Sequence, residues 1–401
     1  MKPIHSIHSS IAAALLACAG SGCSGAPPPR PVEIPVPVES VPQGLDRAPA
    51  LAIDNPAYAR AIEYSARRGG LALVVIDADR VALAIGQNGA HFDEPQPLHG
   101  ASEGFWGPLA VAAERDGLLE LDERVSSAIQ EWDDVRWKED VRVRHLLAYT
   151  SGLEAGVLPL LRDDPVNRYE RALALEMIAA PGERFQVGPS HLAVFGEFLR
   201  RRFAPQGLDA LAYLERRILA PIGVAIGDWE RDPAGNPDLA SGAHMTAYDW
   251  AKFGVLIRDR GRWREQVVLD EDGVETCLEP GELQPRFGLG FWLDAARSGS
   301  SNPRARAEAR SDAAREQPEA EPADLDERPG DVAMAAGAGN QRLYIIPSWQ
   351  LVVARFGRDD RDWRDPDFVA EILAGASADR QALRDQSANS EPNHDTLIAS
   401  P

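Results

Sequence analysis

Apolar positions cluster at the two ends of the folded part of the chain. Leu71 to Asp77 is a near-continuous apolar run, and Val81 to Gln87 follows after Asp77-Ala78-Asp79-Arg80. The pair reads as a hairpin. Arg342 to Pro347 and Gln350 to Gly357 read as two more strands joined at Pro347-Ser348, and Phe287 to Leu293 as another. Residues 130–284 read as largely helical, with breaks at Pro181-Gly182, Pro221 and Pro233 to Pro237. Helices are also predicted at Pro56 to Arg68, closed by Gly69-Gly70, and at Asp367 to Ala376. Phe105, Leu109 and Ala112 recur at helical spacing, with Gly117 as a natural stop. Strands at both ends with helices between predict an α/β fold of α+β type. One antiparallel sheet is built from both chain ends and flanked by helices. A mainly helical subdomain, at about 98–284, is inserted into it.

Composition divides the rest. Lys2 precedes the short apolar run Ile11 to Ala17, and small residues and two cysteines follow. The run is too short to span a bilayer, which takes about 20 residues. It resembles a bacterial lipoprotein signal peptide over residues 1–23. Leu15-Leu16-Ala17-Cys18 and Gly20-Ser21-Gly22-Cys23 both resemble a lipidation site, and Cys23 stands nearer the linker. Residues 24–50 are rich in proline and read as a tether. The folded domain is expected over 51–376. A disordered insertion is expected at about 297–331, where large apolar residues are scarce, and a loose tail over 377–401. The third cysteine, Cys277, has no evident partner, so a structural disulfide is not expected.

The most informative stretch is His99-Gly100-Ala101-Ser102-Glu103-Gly104-Phe105, leading to Asp116-Gly117-Leu118-Leu119-Glu120-Leu121-Asp122-Glu123-Arg124-Val125. It resembles the nucleophile segment of the serine β-lactamase and penicillin-binding-protein superfamily, above all its class C-like branch. That branch shows S-x-x-K-[ST]-F, then a helix, then E-x-G-x-L-x-L-D-x-x-V. Phe105 sets the register. It places Gly100 at the nucleophilic serine and Glu103 at the lysine. A lysine one turn from a serine can take its proton when held desolvated. Glycine cannot be a nucleophile, and a glutamate beside it has nothing to activate.

Further motifs extend the resemblance over most of residues 55–375. Arg144-His145-Leu146-Leu147-Ala148-Tyr149-Thr150-Ser151-Gly152-Leu153 matches R-x-L-L-x-H-T-S-G-L, where His145 and Tyr149 are expected to serve structure. Pro181 to His191 is similar to P-G-x-x-F-x-Y-[SG]-N, with Val187 at the proton-carrying tyrosine. Ser190 and His191 are adjacent there. Neighbours on a helix point in different directions, so a dyad between them is not expected. Ala335-Ala336-Gly337 stands where the third motif, [KH]-[TS]-G, is expected. Direct inspection agrees. The lysines are Lys2, Lys138 and Lys252, and no serine stands three residues before the latter two. No lysine or histidine precedes Thr-Gly or Ser-Gly, and no tyrosine has an asparagine two places on.

The resemblance therefore implies a serine hydrolase scaffold whose acyl-transfer chemistry is lost. Its expected role is binding a small-molecule or cell-wall-derived ligand, or a partner, in the cell envelope. The alternative is an active hydrolase with a relocated nucleophile, for which Ser102 is the candidate, with Glu103 and His99 nearby. Glu103 is expected to bring negative charge to the place where an oxyanion would form. A formal net charge of −20 argues against nucleic acid as a partner. Membrane contact is expected only through the lipid anchor. The histidines show no metal-ligand spacing outside the leader, and no cofactor is expected. The oligomeric state and the ligand stay open.

Overall fold

Consecutive apolar positions in the central strands follow from burial on both faces. The computed structural model describes residue 45 and residues 49–294 and 329–390. Strands β1 (Gly70–Asp77) and β2 (Arg80–Gly86) form the expected hairpin. Strands β3 (Trp292–Leu293), β4 (Ala333–Gly337), β5 (Gln341–Ile346) and β6 (Leu351–Gly357) come from the other end. They make one antiparallel sheet in the order β2-β1-β6-β5-β4-β3. The two ends meet at the β1–β6 pair, where Val74 lies opposite Ala354. The N-terminal hairpin and the C-terminal strands thus share one sheet, as the apolar pattern predicts.

Helices α1 (Ala59–Arg67) and α5 (Asp365–Ser390) cover one face. Ala61, Leu73, Val75, Tyr344, Val353, Phe368 and Ile372 build the core there. Between them in sequence come α2 (Trp106–Arg115), α3 (Pro189–Phe203) and α4 (Ala247–Arg258). Helix α4 packs on the opposite face of the sheet. A β-carbon on Gly254 would lie 2.6 Å from Val352, so only glycine permits this approach, and Trp250 stacks on Phe356 with centroids 5.3 Å apart. The inserted segment is mainly helical. It also holds two small two-stranded pairs, Gln96–Pro97 with His244–Met245 and Arg262–Trp263 with Gln266–Val267.

Three expectations need correction or placement. The run Phe287 to Leu293 is not a continuous strand. Gly288 N–H donates to Phe291 O at 2.9 Å and Gly290 takes φ 89°, so the chain turns back on itself and only Trp292–Leu293 joins the sheet. The final helix does not stop at Ala376, and residues 377–390 are not a loose tail. Arg380 forms an ion pair with Asp77 (2.6 Å) and Asp379 pairs with Arg80, which tie the polar last turns to the β1–β2 hairpin. The leader, Cys18, Cys23, nearly all of the linker and nearly all of the 297–331 insertion lie outside the described residues.

Candidate functional site

Small residues let the turn before α2 press against the sheet. His99–Phe105 is a 3-10 turn. A β-carbon on Gly337 of β4 would lie 2.2 Å from the Leu98 carbonyl oxygen and 2.9 Å from Ala101 N. Gly104 meets Ala335 in the same way, with a hypothetical β-carbon 3.2 Å from the Ala335 methyl. Strand alternation turns Ala335 and Gly337 to one side. The first and third motif segments are therefore in direct contact, close enough that no lysine at 335 could be added without displacing Gly104.

Gly100 is different. A β-carbon there would make only ordinary contacts, 3.5 Å from Ala336 O, 3.8 Å from Glu103 Oε1 and 3.8 Å from the Gly337 Cα. A small open volume thus lies where a serine side chain would project. Ser102, the alternative nucleophile, is fully buried and spent on structure. Its hydroxyl donates to His99 O (2.7 Å) and accepts from Ala243 N–H (3.2 Å), pinning the turn to the segment before His244–Met245. It does not open toward the Gly100 volume.

Glu103 keeps part of its surface open, yet burial pushes its carboxyl up to about 8. The Tyr149 hydroxyl opposes this shift and the Asp238 charge adds to it. Among the described residues no basic group offsets it. At neutral pH the carboxyl is therefore mostly protonated. This corrects the expectation of a fixed negative charge, which reads residue type without environment.

Tyr149 comes from the second motif region. It adopts φ 56°, followed by Gly152 at φ 81°, in a turn whose backbone meets the 179–180 segment closely. Its side chain is 1% exposed, and its hydroxyl closes no hydrogen bond of ordinary geometry. Burial first, then the nearby Glu103, raise its pKa well above 10. Its ring meets His191 edge-on (5.1 Å) and lies 5.3 Å from Phe287. Gln186 N–H donates to Tyr149 O at 2.9 Å, which docks the Val187 segment on this turn. Val187 itself is half-buried and reaches the site only through its neighbour.

The serine–histidine contact that does exist joins Ser151 and His191, Oγ to Nδ1 at 2.9 Å. Both are fully buried. Burial pushes His191 down to about 4, so it stays neutral, and its Nε2 has no partner. Ser190 points elsewhere and donates to Glu154 O at 2.6 Å. His145 accepts from Arg142 N–H at 3.2 Å and closes the start of a short helix, a structural role.

Gly100, Glu103, Ala335, Ala336 and Gly337 thus meet, and Tyr149 and Gln186 bridge them to Val187. Sequence reading missed the aromatic wall beside them. Phe185, Phe287 and Trp292 join Tyr149 with centroids 5.0–6.4 Å apart. The repeated aromatics in Phe287-Gly288-Leu289-Gly290-Phe291-Trp292 were the available signal. Near neutral pH the floor of the site is polar but uncharged: a carboxylic acid, a phenol and a neutral imidazole. It has acceptors and proton donors but no aligned nucleophile.

A family model described as Beta-lactamase matches residues 56–361. No curated protein matches the chain. Among solved structures, a candidate β-lactamase from Bacteroides dorei DSM 17855 is 17% identical, with a TM-score of 0.60, covering 80% of this chain and 96% of that one. A candidate 6-aminohexanoate-dimer hydrolase from Bacillus anthracis is 15% identical, with a TM-score of 0.57 and 82% of both chains covered. A penicillin-binding-protein homologue from Caulobacter crescentus is 15% identical, with a TM-score of 0.57, covering 81% of this chain and 98% of that one. At these identities the likeness is one of fold.

Proposed function

We propose that this chain, which belongs to the Beta-lactamase family, is a member that binds a ligand at the family's site without forming an acyl-enzyme. One observation carries this reading: the position facing the open volume between turn and sheet is Gly100, which has no side chain. A missing nucleophile removes the covalent pathway itself, and what remains is binding and polarisation. Ser102 is no substitute, because both hydrogen-bonding roles of its hydroxyl are taken by backbone groups. Incubation with a fluorescent penicillin and with a fluorophosphonate tests the reading. No covalent adduct is expected.

The setting proposed for this role is the outer cell envelope. The short apolar leader, the cysteines and the proline-rich stretch support export and lipid anchoring at Cys23 or Cys18. Replacing both cysteines by serine should release the protein from membranes into the soluble fraction. Unchanged membrane association after fractionation would count against the anchor.

A further inference from the structure

The open volume beside Gly100 has a lining that selects its occupant. Of the three atoms nearest a hypothetical side chain there, the two polar ones are oxygens, Ala336 O and Glu103 Oε1. Glu103 is in turn flanked by the Tyr149 hydroxyl, whose oxygen is buried and closes no ordinary hydrogen bond. A carbonyl, a carboxyl and a phenol oxygen can all accept hydrogen bonds. An ammonium group carries three donors and no acceptor. The aromatic wall of Tyr149, Phe185, Phe287 and Trp292 supplies ring faces and edges on one side. Such rings attract a cation within about 6 Å.

Charge points the same way. The titratable groups around Glu103 are Tyr149 from the 148–153 turn and Asp238 from the loop before His244–Met245, with His191 behind Tyr149. Strand β4 contributes Ala335, Ala336 and Gly337, and the 290–291 turn contributes Gly290 and Phe291, none of them titratable. Arg342 reaches the Gly337 carbonyl from β5, but its guanidinium is committed to Asp365 at 2.8 Å. Asp238 is held by Arg168, Ser241 and the Ala240 N–H. Among the described residues, Glu103 is left as an acid without a cation.

We propose that Glu103, Ala336 O and the Tyr149 hydroxyl form a receptor for the primary ammonium group of a small molecule, with the aromatic wall covering its apolar portion. The proposal rests on the non-acylating reading of the same site. On binding, Glu103 releases its proton to solvent and its carboxylate pairs with the ammonium, which keeps all its protons.

Calorimetric titration of the full chain with n-butylammonium chloride tests this, with n-butanol and sodium butyrate as neutral and anionic counterparts. Binding of the amine alone is expected. Its affinity should rise about tenfold per pH unit between pH 6 and 8, because one proton leaves on binding, and then level off. Glu103→Gln should weaken the amine about tenfold or more and flatten that dependence. Equal binding of butanol, undiminished amine binding by Glu103→Gln, or no amine binding at pH 8 would overturn the proposal. Such a result leaves the acylation outcome untouched, whereas adduct formation would sink the non-acylating reading by itself.

Discussion

Glu103→Gln is expected to stabilise the protein by about 2–4 kcal/mol at pH 8–9 and to leave it unchanged below about pH 4. The carboxyl titrates near 8 in the folded chain, against an ordinary value of 4.5, chiefly because burial disfavours its charge. Between those two values the unfolded chain has lost a proton that the native state still holds. Stability must then fall as pH rises through the window, and flatten above 8. Glutamine keeps the shape and a donor but has nothing to ionise. Urea unfolding of both proteins at pH 4, 6 and 9 reads the difference directly. Parallel curves would mean that Glu103 is solvated, and would remove the neutral-acid description of the site.

The second large effect lies behind the site. Asp365 opens α5 and is 2% exposed. It accepts from Arg342 Nε (2.8 Å), Trp363 Nε1 (2.9 Å) and the Tyr344 hydroxyl. Burial works to raise its pKa, but the Arg342 charge and these donors outweigh it and hold the carboxyl low. Asp365→Ala leaves Arg342 buried without a counter-ion, a change that costs about 3–5 kcal/mol. A midpoint shift of that size in urea is expected, with Asp365→Asn intermediate. Because the folded-state pKa is depressed, this contribution is present above the ordinary carboxylate range and is lost as pH falls through the native value. The expected loss matters for the site, since Arg342 also donates to the Gly337 carbonyl.

The fold was largely legible because its strands are buried on both faces. Leu71 to Asp77 and Leu351 to Gly357 need no alternation to declare themselves. Where geometry depended on single residues, pattern reading failed. Gly288 and Gly290 break the run after Phe287, and glycine inside an apolar stretch gives little warning of a turn. The last turns of α5 carry polar residues whose partners lie some 300 positions away, as Arg380 and Asp77 do. A local reading of composition cannot see such pairs.

The site divides in the same way. The absence of a side chain at 100 and of a lysine at 103 could be read directly. That Glu103 is mostly uncharged could not, because its state depends on Tyr149, 46 residues on in sequence, and on burial. His191 was weighed beside its neighbour Ser190, yet its partner is Ser151, brought in by the turn at Gly152. Ser102 looked available in sequence and is closed off by two backbone groups. In each case residue type was read correctly, and the environment decided its role.

The central claim is that no acyl-enzyme forms, and intact-mass measurement after prolonged exposure to a penicillin and to a fluorophosphonate tests it most directly. The unmodified mass is expected for the native chain with both reagents. The double variant Gly100→Ser with Glu103→Lys serves as the constructive control, since the volume at Gly100 accepts a small side chain in ordinary contact. A trace adduct on the variant alone would show that the cleft is competent and that the nucleophile and its base were what it lacked. A stoichiometric adduct on the native chain, lost on Ser102→Ala, would contradict the account and place the nucleophile at Ser102.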